Sequence, residues 1–441
     1  MITTIKNIFS IVELRSKLLY TLFILFVYRL ASHVPTPGID TVKLKAFFDQ
    51  AENASGFLGL LDVFAGGAMS RATILALGVM PYISASIILQ LMTAVVPSLQ
   101  KLAKEGDLGR KKLNQYTRYL TVFITMFQAI GFAKLLDSYQ LVTNYNTMFI
   151  ITTMLAMTAG TMLVMWFGEL ITAKGLGNGI SIIIFAGIVA RIPASVMQFG
   201  SDIQNGQMDI AKLIVLLAVM VAIVYFVVLI QEGQRKIPVQ YPKRIVGRKM
   251  TVGQTTYLPL KINQAGVIPV IFASSILMFP QQMQQFLDPT GKVGFLKVLG
   301  SMFSYASPTY ILTYLLLIVF FTYFYTAITL NPIDVADNLK KSGGFIPGVR
   351  PGQATADHVN FILNRIALPG ALFLGFIAIL PIVMSKAMFG SSNSNLYFGG
   401  TSLLIAVGVG LDFMKQIESH LLMSHYDGFT KKGRLGKPRR Y

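Results

Sequence analysis

Long apolar segments recur along the whole chain and constrain its fold more than any other feature. Many contain about 18 or more apolar residues, which as a helix is enough to cross roughly 30 Å of hydrocarbon. Of the 441 residues, 54% are hydrophobic and only 13% are charged, too few to cover the surface of a soluble protein. Lipid-exposed backbone must satisfy its own hydrogen bonds, so these segments predict helices. The sequence therefore predicts an all-α polytopic membrane protein.

About ten such segments can be separated by their polar connections. The seventh is short and contains Pro269, which indicates a tilted or partly unwound helix. A count of ten spans also permits two inverted halves of five spans each. The predicted spans are Leu18–Val34, Ala72–Val96, Leu120–Leu136, Met148–Leu170, Ile180–Phe199, Ile210–Ile230, Ala265–Phe279, Ile311–Leu330, Ile366–Met384 and Phe398–Ile417.

The basic residues predict the orientation of these spans. The net charge is +19, and Lys and Arg concentrate in alternate connections, whereas 137–146 and 200–209 contain neither. By the positive-inside rule the basic connections are cytoplasmic, and an even number of spans places both termini there too. We expect the first span to act as an uncleaved insertion signal, because no small-residue cleavage site precedes it. Anionic lipid, an acidic partner and ribosomal RNA all stay open as partners of the basic surface.

Two of the basic connections, 232–263 and 331–360, are much longer than a return to the membrane requires. The positive-inside rule explains their sign but not their length. We interpret them as a docking surface for a large cytoplasmic partner. The first contains one acid, Glu232, against seven basic residues: Arg235, Lys236, Lys243, Arg244, Arg248, Lys249 and Lys261.

The segment Phe57–Arg71 is amphipathic, rich in glycine and too short to span a bilayer. One interpretation is a helix that lies on the outer leaflet. The other is a re-entrant segment inside a protein-lined cavity, where non-helical backbone at membrane depth is tolerated. The pair Gly66-Gly67 would supply a hinge for it.

Residue patterns that carry covalent chemistry are missing from the sequence. The chain has no cysteine, and its four histidines do not have metal-ligand spacing. Glu169, Asp412 and Glu418 lie near predicted span ends, as solvated interfacial carboxylates do. The glycines of 175–179 lack the strand that a dinucleotide site requires and predict a tight turn. We therefore predict no enzyme activity, cofactor or metal.

Apolar side chains recur at helical spacing in two predicted spans, at Val79 and Ile83 and at Ile180 and Ile184. Ordinary helix packing explains such a stripe, and so does a hydrophobic constriction that excludes water and ions. A carrier of a neutral substrate, an insertase with a hydrophilic groove and a membrane scaffold also stay open. The carrier would need a small polar pocket at mid-membrane, and the insertase an intramembrane charge that this sequence lacks.

Several segments, in order, resemble the SecY/Sec61-alpha family, and the resemblance runs from about Glu13 to the tail. Together they are specific, although none would be alone. They are Ser70–Ile74, Gly78–Ile87, Gly177–Ile188, Leu258–Pro269, Ala336–Gly343, Ile346–Gly352 and Tyr397–Leu404.

The resemblance implies ten transmembrane helices in two inverted five-helix halves around an hourglass pore. The first half would cover residues 1–200 and contain a plug at 57–70. The second would cover 201–441, with cytoplasmic loops at 232–263 and 331–360 and a basic cytoplasmic tail at 419–441.

The resemblance also assigns candidate site residues in four groups. An apolar pore ring is implied at Val79, Ile83, Ile184, Ile271 and Ile405. Plug residues are implied at Phe57, Leu60, Leu61, Val63, Phe64, Gly66, Gly67 and Ser70. A lateral gate, through which helices would leave into lipid, is implied at Ile87, Asn263, Ser274 and Ser275. Partner docking is implied at Lys243, Arg244, Arg248, Lys249, Arg350 and Tyr426.

The function implied by the resemblance is protein transport rather than catalysis. The chain would be the central subunit of a protein-conducting channel in the bacterial inner membrane, with both termini cytoplasmic. It would pass unfolded secretory proteins across and release membrane helices laterally, powered by a partner. Implied partners are signal sequences, nascent chains, anionic lipid, the ribosome, the SecA motor, the small subunits SecE and SecG, and also SecDF and YidC.

Overall fold

The computed structural model is built mainly from helices that pack side by side. The part of the chain that it describes consists of residues 11–40, 42–44, 46–47, 61–204, 206, 209–241, 245–246, 249–250, 255–287, 294–303, 307–389 and 400–433. Helices α1 to α8 are Val12–Ala31, Met80–Val95, Pro97–Lys104, Asp107–Ser138, Thr147–Lys174, Gly179–Val189, Ile192–Gln204 and Ile210–Glu232.

The second part of the chain begins with short strands. Strands β1 to β4 are Gln234–Gln240, Ile245–Val246, Lys249–Met250 and Thr255–Lys261, and they form two antiparallel pairs, β1 with β4 and β2 with β3. Helices α9 to α14 follow, at Ile268–Leu287, Gly294–Met302, Pro308–Thr329, Pro332–Lys341, Gln353–Phe389 and Gly400–Gly433.

Each predicted apolar segment coincides with a helix of the structure. Among the described residues, six helices are long and apolar enough to cross a membrane, or seven if the bent pair α2 and α3 forms one span. The remaining predicted segments coincide with α1, α9 and α14. The polytopic helical fold is therefore confirmed, whereas the count of ten spans stays a prediction.

Three predicted span boundaries differ from the structure. The second predicted span starts at Ala72, but residues 72–79 form successive turns, and α2 begins at Met80 with Pro81 at its start. The chain then bends by 100° before α3, which begins at Pro97. The fifth predicted span is interrupted between α6 and α7 at Arg191. The seventh is a continuous 20-residue helix with Pro280 inside it.

Local sequence explains how tightly α5 turns into α6. Asn178 caps α6, because its side-chain oxygen accepts hydrogen bonds from the backbone N–H groups of Ile180 and Ser181. A Cβ at Gly179 would overlap the carbonyl oxygen of Gly168 in α5. Glycine therefore allows the two helices to cross in close contact, and the turn predicted at 175–179 is confirmed.

The apolar side chains that these helices bury form one large cluster and one small one. The large cluster includes residues of α1, α2, α4, α5, α6, α8, α9, α11, α13 and α14, together with the segment 61–79. Exposed apolar side chains cover the outer faces, for example Ile214, Leu217 and Val221 of α8. Exposed apolar faces around a packed interior are what lipid requires of a membrane bundle.

Candidate functional site

The segment 61–79 lies inside the bundle and contains little regular structure. Residues 61–64 are helical, and the chain then follows turns up to α2. Leu61, Val63 and Phe64 are buried, as are Gly66 and Gly67. Both glycines have positive φ, +66° and +81°, which favours glycine. Burial of residues 61–69 inside the bundle is what the re-entrant interpretation requires, and that interpretation stays a prediction. Phe57 and Leu60 lie outside the described residues.

A buried ion pair fixes this segment to the break between α6 and α7. Asp62 has 0% exposure, and its Oδ2 lies 2.7 Å from Arg191 Nη1, whose side chain is 18% exposed. The other carboxylate oxygen, Oδ1, accepts a hydrogen bond of 2.8 Å from the backbone N–H of Ser70. Both oxygens are thus satisfied, which a buried carboxylate requires. The Asp62 side chain therefore connects the segment both to Ser70 and to Arg191 at the break between α6 and α7.

Helix α1 holds the same segment from the other side. Arg29 Nη1 donates a 2.7 Å hydrogen bond to the carbonyl oxygen of Gly66. The backbones of Gly66 and Gly187 approach so closely that a Cβ on Gly66 would lie 3.1 Å from the Cα of Gly187. Gly187 belongs to α6. The glycines therefore let this segment fit between α1 and α6.

Arg71 marks the outer end of the segment. Its Nη1 lies 2.6 Å from His33 Nε2. Burial lowers the pKa of Arg71, and the charge of Arg29 lowers it further, whereas Asp62 raises it. The Arg71 side chain is exposed, and it lies near two like charges, Arg29 and Arg191, and the opposite charge of Asp62.

The five predicted pore-ring residues lie on four different helices or their caps, and all of them are buried. Val79 is the N-cap of α2, Ile83 lies in α2, Ile184 in α6, Ile271 in α9 and Ile405 in α14. All five belong to the large buried cluster, and none is more than 7% exposed. The segment 61–69 contributes to this same cluster. Burial in one apolar cluster is what the predicted ring and plug both require, and the ring and the plug stay predictions.

The predicted gate residues lie on or beside α2 and α9. Ile87, Asn263, Ser274 and Ser275 are all buried. Both serine hydroxyls donate to the carbonyl oxygen of Ile271, over 2.9 and 2.8 Å, and so satisfy themselves within α9. Asn263 precedes α9, and its Nδ2 donates a 2.8 Å hydrogen bond to the carbonyl oxygen of Gly266.

A buried amide pair crosses the seam between α4 and α9. Gln128 Nε2 donates a 3.0 Å hydrogen bond to Gln282 Oε1, and both side chains are buried. These residues lie 154 positions apart in the sequence, and neither belongs to the candidate sites above. In the sequence, Gln128 is a lone Gln among apolar residues, whereas Gln282 is one of four glutamines between Phe279 and Leu287. Between helices in lipid, such a hydrogen bond is a specific but modest attachment.

The two long basic connections form one unit. The backbone N–H and C=O groups of Gln240 and Phe345 exchange two hydrogen bonds of 2.9 Å. Around this bridge lies the smaller buried cluster, which joins both connections to the start of α13 and contains Ile237, Val239, Leu260, Ile346, Val359 and Leu363. The prediction of a solvated loop was therefore incomplete, because the first connection is a hairpin with a packed face.

The predicted docking residues are only partly described. Arg350 is exposed on the second connection. Lys249 belongs to β3, and Tyr426 lies within α14. Lys243, Arg244 and Arg248 lie outside the described residues.

Glu169, one of the predicted interfacial carboxylates, accepts two hydrogen bonds from Arg118, of 3.0 and 2.6 Å. It is therefore an ion-pair partner between α5 and α4 rather than an isolated charge.

A cavity of about 460 Å3 opens beside the hairpin. It lies between the turn from α5 to α6, the residues between β4 and α9, and α14. Glu232 and Lys415 form an ion pair of 2.8 Å beside it, and Lys415 also contributes to its lining with Asp412 and Lys261. Within the described ranges, no group of three or more acidic or histidine side chains could hold a metal ion.

Comparison with known proteins gives concordant matches. The SecY family model matches residues 73–414. The protein translocase subunit SecY of Streptomyces griseus is 48% identical over 98% of this chain and 100% of that protein. A SecY structure concerned with a plug domain that stabilises the closed state of a translocation channel covers 92% of each chain, with a TM-score of 0.65 and 18% identity. Sec61 in the canine ribosome–channel complex has a TM-score of 0.61, with 18% identity and 92% coverage of each chain.

Proposed function

The chain belongs to the SecY family, and we propose that it is the central subunit of a protein-conducting channel. It passes unfolded secretory proteins across the bacterial inner membrane and releases membrane helices laterally into lipid. Its relatives carry the name protein translocase subunit. We propose that both termini face the cytoplasm, and that burial of residues 61–69 corresponds to a closed form of this channel.

The observation that carries this proposal is the burial of residues 61–69, the described part of the proposed plug, in one apolar cluster with the five proposed pore-ring residues. Val79, Ile83, Ile184, Ile271 and Ile405 are buried in the same cluster as the turns 61–69. A ring of branched apolar side chains excludes water and ions and offers no fixed hydrogen bonds to a passing chain. It can therefore seal when idle and still release an unfolded polypeptide of any sequence. The plug adds a second barrier on the outer side.

A seam between two halves supports the lateral release. We propose that residues 1–200 and 201–441 form halves that separate where α2 and α4 contact α9. Ile87, Asn263, Ser274 and Ser275 line this gate, and the amides of Gln128 and Gln282 join its two sides. The free energy that holds such a seam is small, so a signal sequence that binds the open form better can shift the equilibrium.

The cytoplasmic unit formed by the two basic connections is proposed to dock the partner that supplies energy. The two connections pack as one unit with an exposed Arg350, and their basic residues suit ribosomal RNA or an acidic face of the SecA motor. Sec61, a neighbour in fold, occurs in a ribosome complex. Lys243, Arg244, Arg248, Lys249 and Tyr426 belong to this proposed surface. SecE, SecG, SecDF, YidC and anionic lipid are further proposed partners.

Reconstituted vesicles test the proposal. The chain with its small partner subunits and a motor ATPase should make vesicles that protect a radiolabelled precursor from protease, with dependence on ATP and on a signal sequence. Vesicles with the Arg350→Glu variant should protect far less precursor, although they should contain the same amount of membrane-inserted channel. Saturable uptake of small neutral solutes without precursor protection would instead identify a carrier and refute the proposal.

A further inference from the structure

The outer end of the segment 61–79 is joined by its backbone to the chain that follows α1. Two hydrogen bonds form this junction, named here the outer bridge. They run from the N–H of Thr36 to the carbonyl oxygen of Ala72, over 2.9 Å, and from the N–H of Ile74 to that of Val34, over 3.1 Å. Backbone contacts therefore fix residues 72–74, which follow the proposed plug at 57–70.

A side-chain contact lies next to the outer bridge. Arg71 Nη1 lies 2.6 Å from His33 Nε2, and His33 Nδ1 lies 2.8 Å from the carbonyl oxygen of Arg29. A guanidinium only donates hydrogen bonds and a carbonyl oxygen only accepts them. His33 Nε2 must therefore accept and Nδ1 must carry the proton, so the two partners together select the neutral imidazole. The side chain of His33 is exposed, and protons from the solvent reach it.

The charges around this contact disfavour a second proton on its imidazole. Arg29, Arg191 and Asp62 all act electrostatically on Arg71. The carboxylate of Asp62 already accepts from Arg191 and from a backbone N–H. Tyr28 of α1 is a buried phenol, which carries no charge near neutral pH. A protonated imidazole would thus add a fourth positive charge to three guanidinium groups, and its new N–H would point at a donor.

Ala72, between this contact and the outer bridge, has a strained backbone. Its φ is +42°, a region in which the Cβ of an L residue crowds the backbone. Ala72 is buried, and its N–H donates a 2.9 Å hydrogen bond to the carbonyl oxygen of Met69. Such strain persists only where neighbouring contacts impose it. Loss of the contact between His33 and Arg71 removes one of these constraints, so the chain at Ala72 can relax away from the closed arrangement.

We propose that His33 is a positioning residue that makes the seal of this channel sensitive to the pH of the outer compartment. Neutral His33 accepts a hydrogen bond from Arg71 and holds the end of the plug beside the outer bridge. Protonated His33 repels Arg71, so the ratio of closed to open channels falls as the outer pH falls. The inference rests on the proposed function, since only a plugged channel can be opened in this way, and it adds a stimulus that acts from the outer side.

Conductance of the full channel complex in planar bilayers, without precursor, tests the proposal. The outer compartment is changed from about pH 7.5 to about pH 5.5, across the range in which imidazole gains its second proton, and the cytoplasmic compartment stays at the higher pH. We expect the open probability to rise at least about threefold, a modest effect because exposed charged contacts contribute little. No rise, or an equal rise when only the cytoplasmic compartment is acidified, overturns the proposal.

Variants of two histidines assign the effect to His33. His33→Gln keeps a side-chain acceptor for Arg71 but does not titrate, so the open probability should stay low at both pH values. His33→Lys is positively charged at both, so its open probability should already be raised at least about threefold at the higher pH and should not change on acidification. His358→Gln, the same change near the start of α13, should keep the response of the parent channel. A full response in His33→Gln overturns the proposal.

Arg71→Gln tests the same contact from its other partner, whether or not the His33 variants fold. An amide can donate to the neutral imidazole and accept from the protonated one. The response to outer pH should therefore disappear in this variant, whereas a structural role of His33 alone would leave it in place. An undiminished response overturns the proposal.

The outcome is distinguishable from the test of the proposed function. Precursor protection in vesicles together with a conductance that ignores the outer pH would retain the protein channel and refute this role of His33. A conductance that depends on His33 and on outer pH, without precursor protection, would retain this role in controlling ion leakage and refute the protein channel.

Discussion

Replacing Asp62 with Asn perturbs the ion pair that ties the proposed plug to Arg191 inside the bundle. The substitution keeps the shape of the side chain and its ability to accept a hydrogen bond from Ser70. It removes the negative charge that lies 2.7 Å from the guanidinium of Arg191. Arg191 is then left with a neutral amide in a site where its side chain is only 18% exposed. The substitution therefore raises the free energy of the closed state. It does not raise that of the open state, in which the displaced segment lets Arg191 reach water.

The burial of the pair sets the magnitude. Removing one partner of a fully buried ion pair costs about 3–5 kcal/mol, and this is an upper bound here because the Arg191 side chain is 18% exposed. If all of this free energy opposed the closed state, the ratio of closed to open channels would fall by about a hundredfold or more, at 1.36 kcal/mol for each factor of ten. We expect at least about a tenfold rise in spontaneous opening, which allows part of the cost to be relieved within the closed state.

Single-channel conductance in planar bilayers, without precursor, measures this rise. The control Asp40→Asn removes a carboxylate that is paired at 3.8 Å with Lys43 on an exposed loop and should leave the conductance unchanged. In the double variant Asp62→Asn/Arg191→Gln, neither charge is left alone, so it should open less often than Asp62→Asn. Conductance of Asp62→Asn equal to that of the parent channel would refute the reasoning that this pair latches the plug.

Three further predictions concern the seal and the docking unit. Ile405→Asn, which places an amide at a position with 0% exposure in the waist, should wet the ring and raise ion leakage in the same bilayers, as should deletion of residues 57–70. Gly66→Ala should also raise ion leakage, because φ is +66° and the new Cβ would press on Gly187. The control Gly67→Ala has similar backbone strain but no close neighbour for the new Cβ, so it should raise ion leakage less. Arg350→Glu should cut ATP-dependent precursor protection at least about tenfold with no change in Tm, since exposed substitutions rarely alter stability; a matching loss of Tm would show a folding defect instead.

The helices could be predicted because lipid imposes one solution on an apolar chain. A segment of sufficient length must satisfy its backbone internally, so each predicted segment coincides with a helix. The pore ring could not be found by periodicity alone, since Val79 and Ile83 on one helix have the same pattern as packing residues. It was the resemblance to a family that grouped them with Ile184, Ile271 and Ile405.

The contacts that hold the site together had little or no sequence signal. Asp62 and Arg191 are 129 residues apart. In the sequence, each is a single charged residue with apolar neighbours, so nothing indicates that the two pair. The β1–β4 hairpin did have a signal, because Ile237 and Val239 alternate with polar residues. Pro238 within that run argued against a strand, although an edge strand tolerates proline. The pairing of Gln240 with Phe345 depends on the tertiary fold and could not be predicted.

The passage of a polypeptide through the apolar ring is the central claim, and crosslinking of a stalled precursor tests it most directly. The chain has no cysteine, so single cysteines at Ile83, Ile184 and Ile271 can be paired with one cysteine in the precursor. Leu217, exposed on the outer face of α8, is the control position. The account predicts disulfides at all three ring positions, dependent on a signal sequence, and none at Leu217. Efficient stalling with no disulfide at any ring position would contradict it.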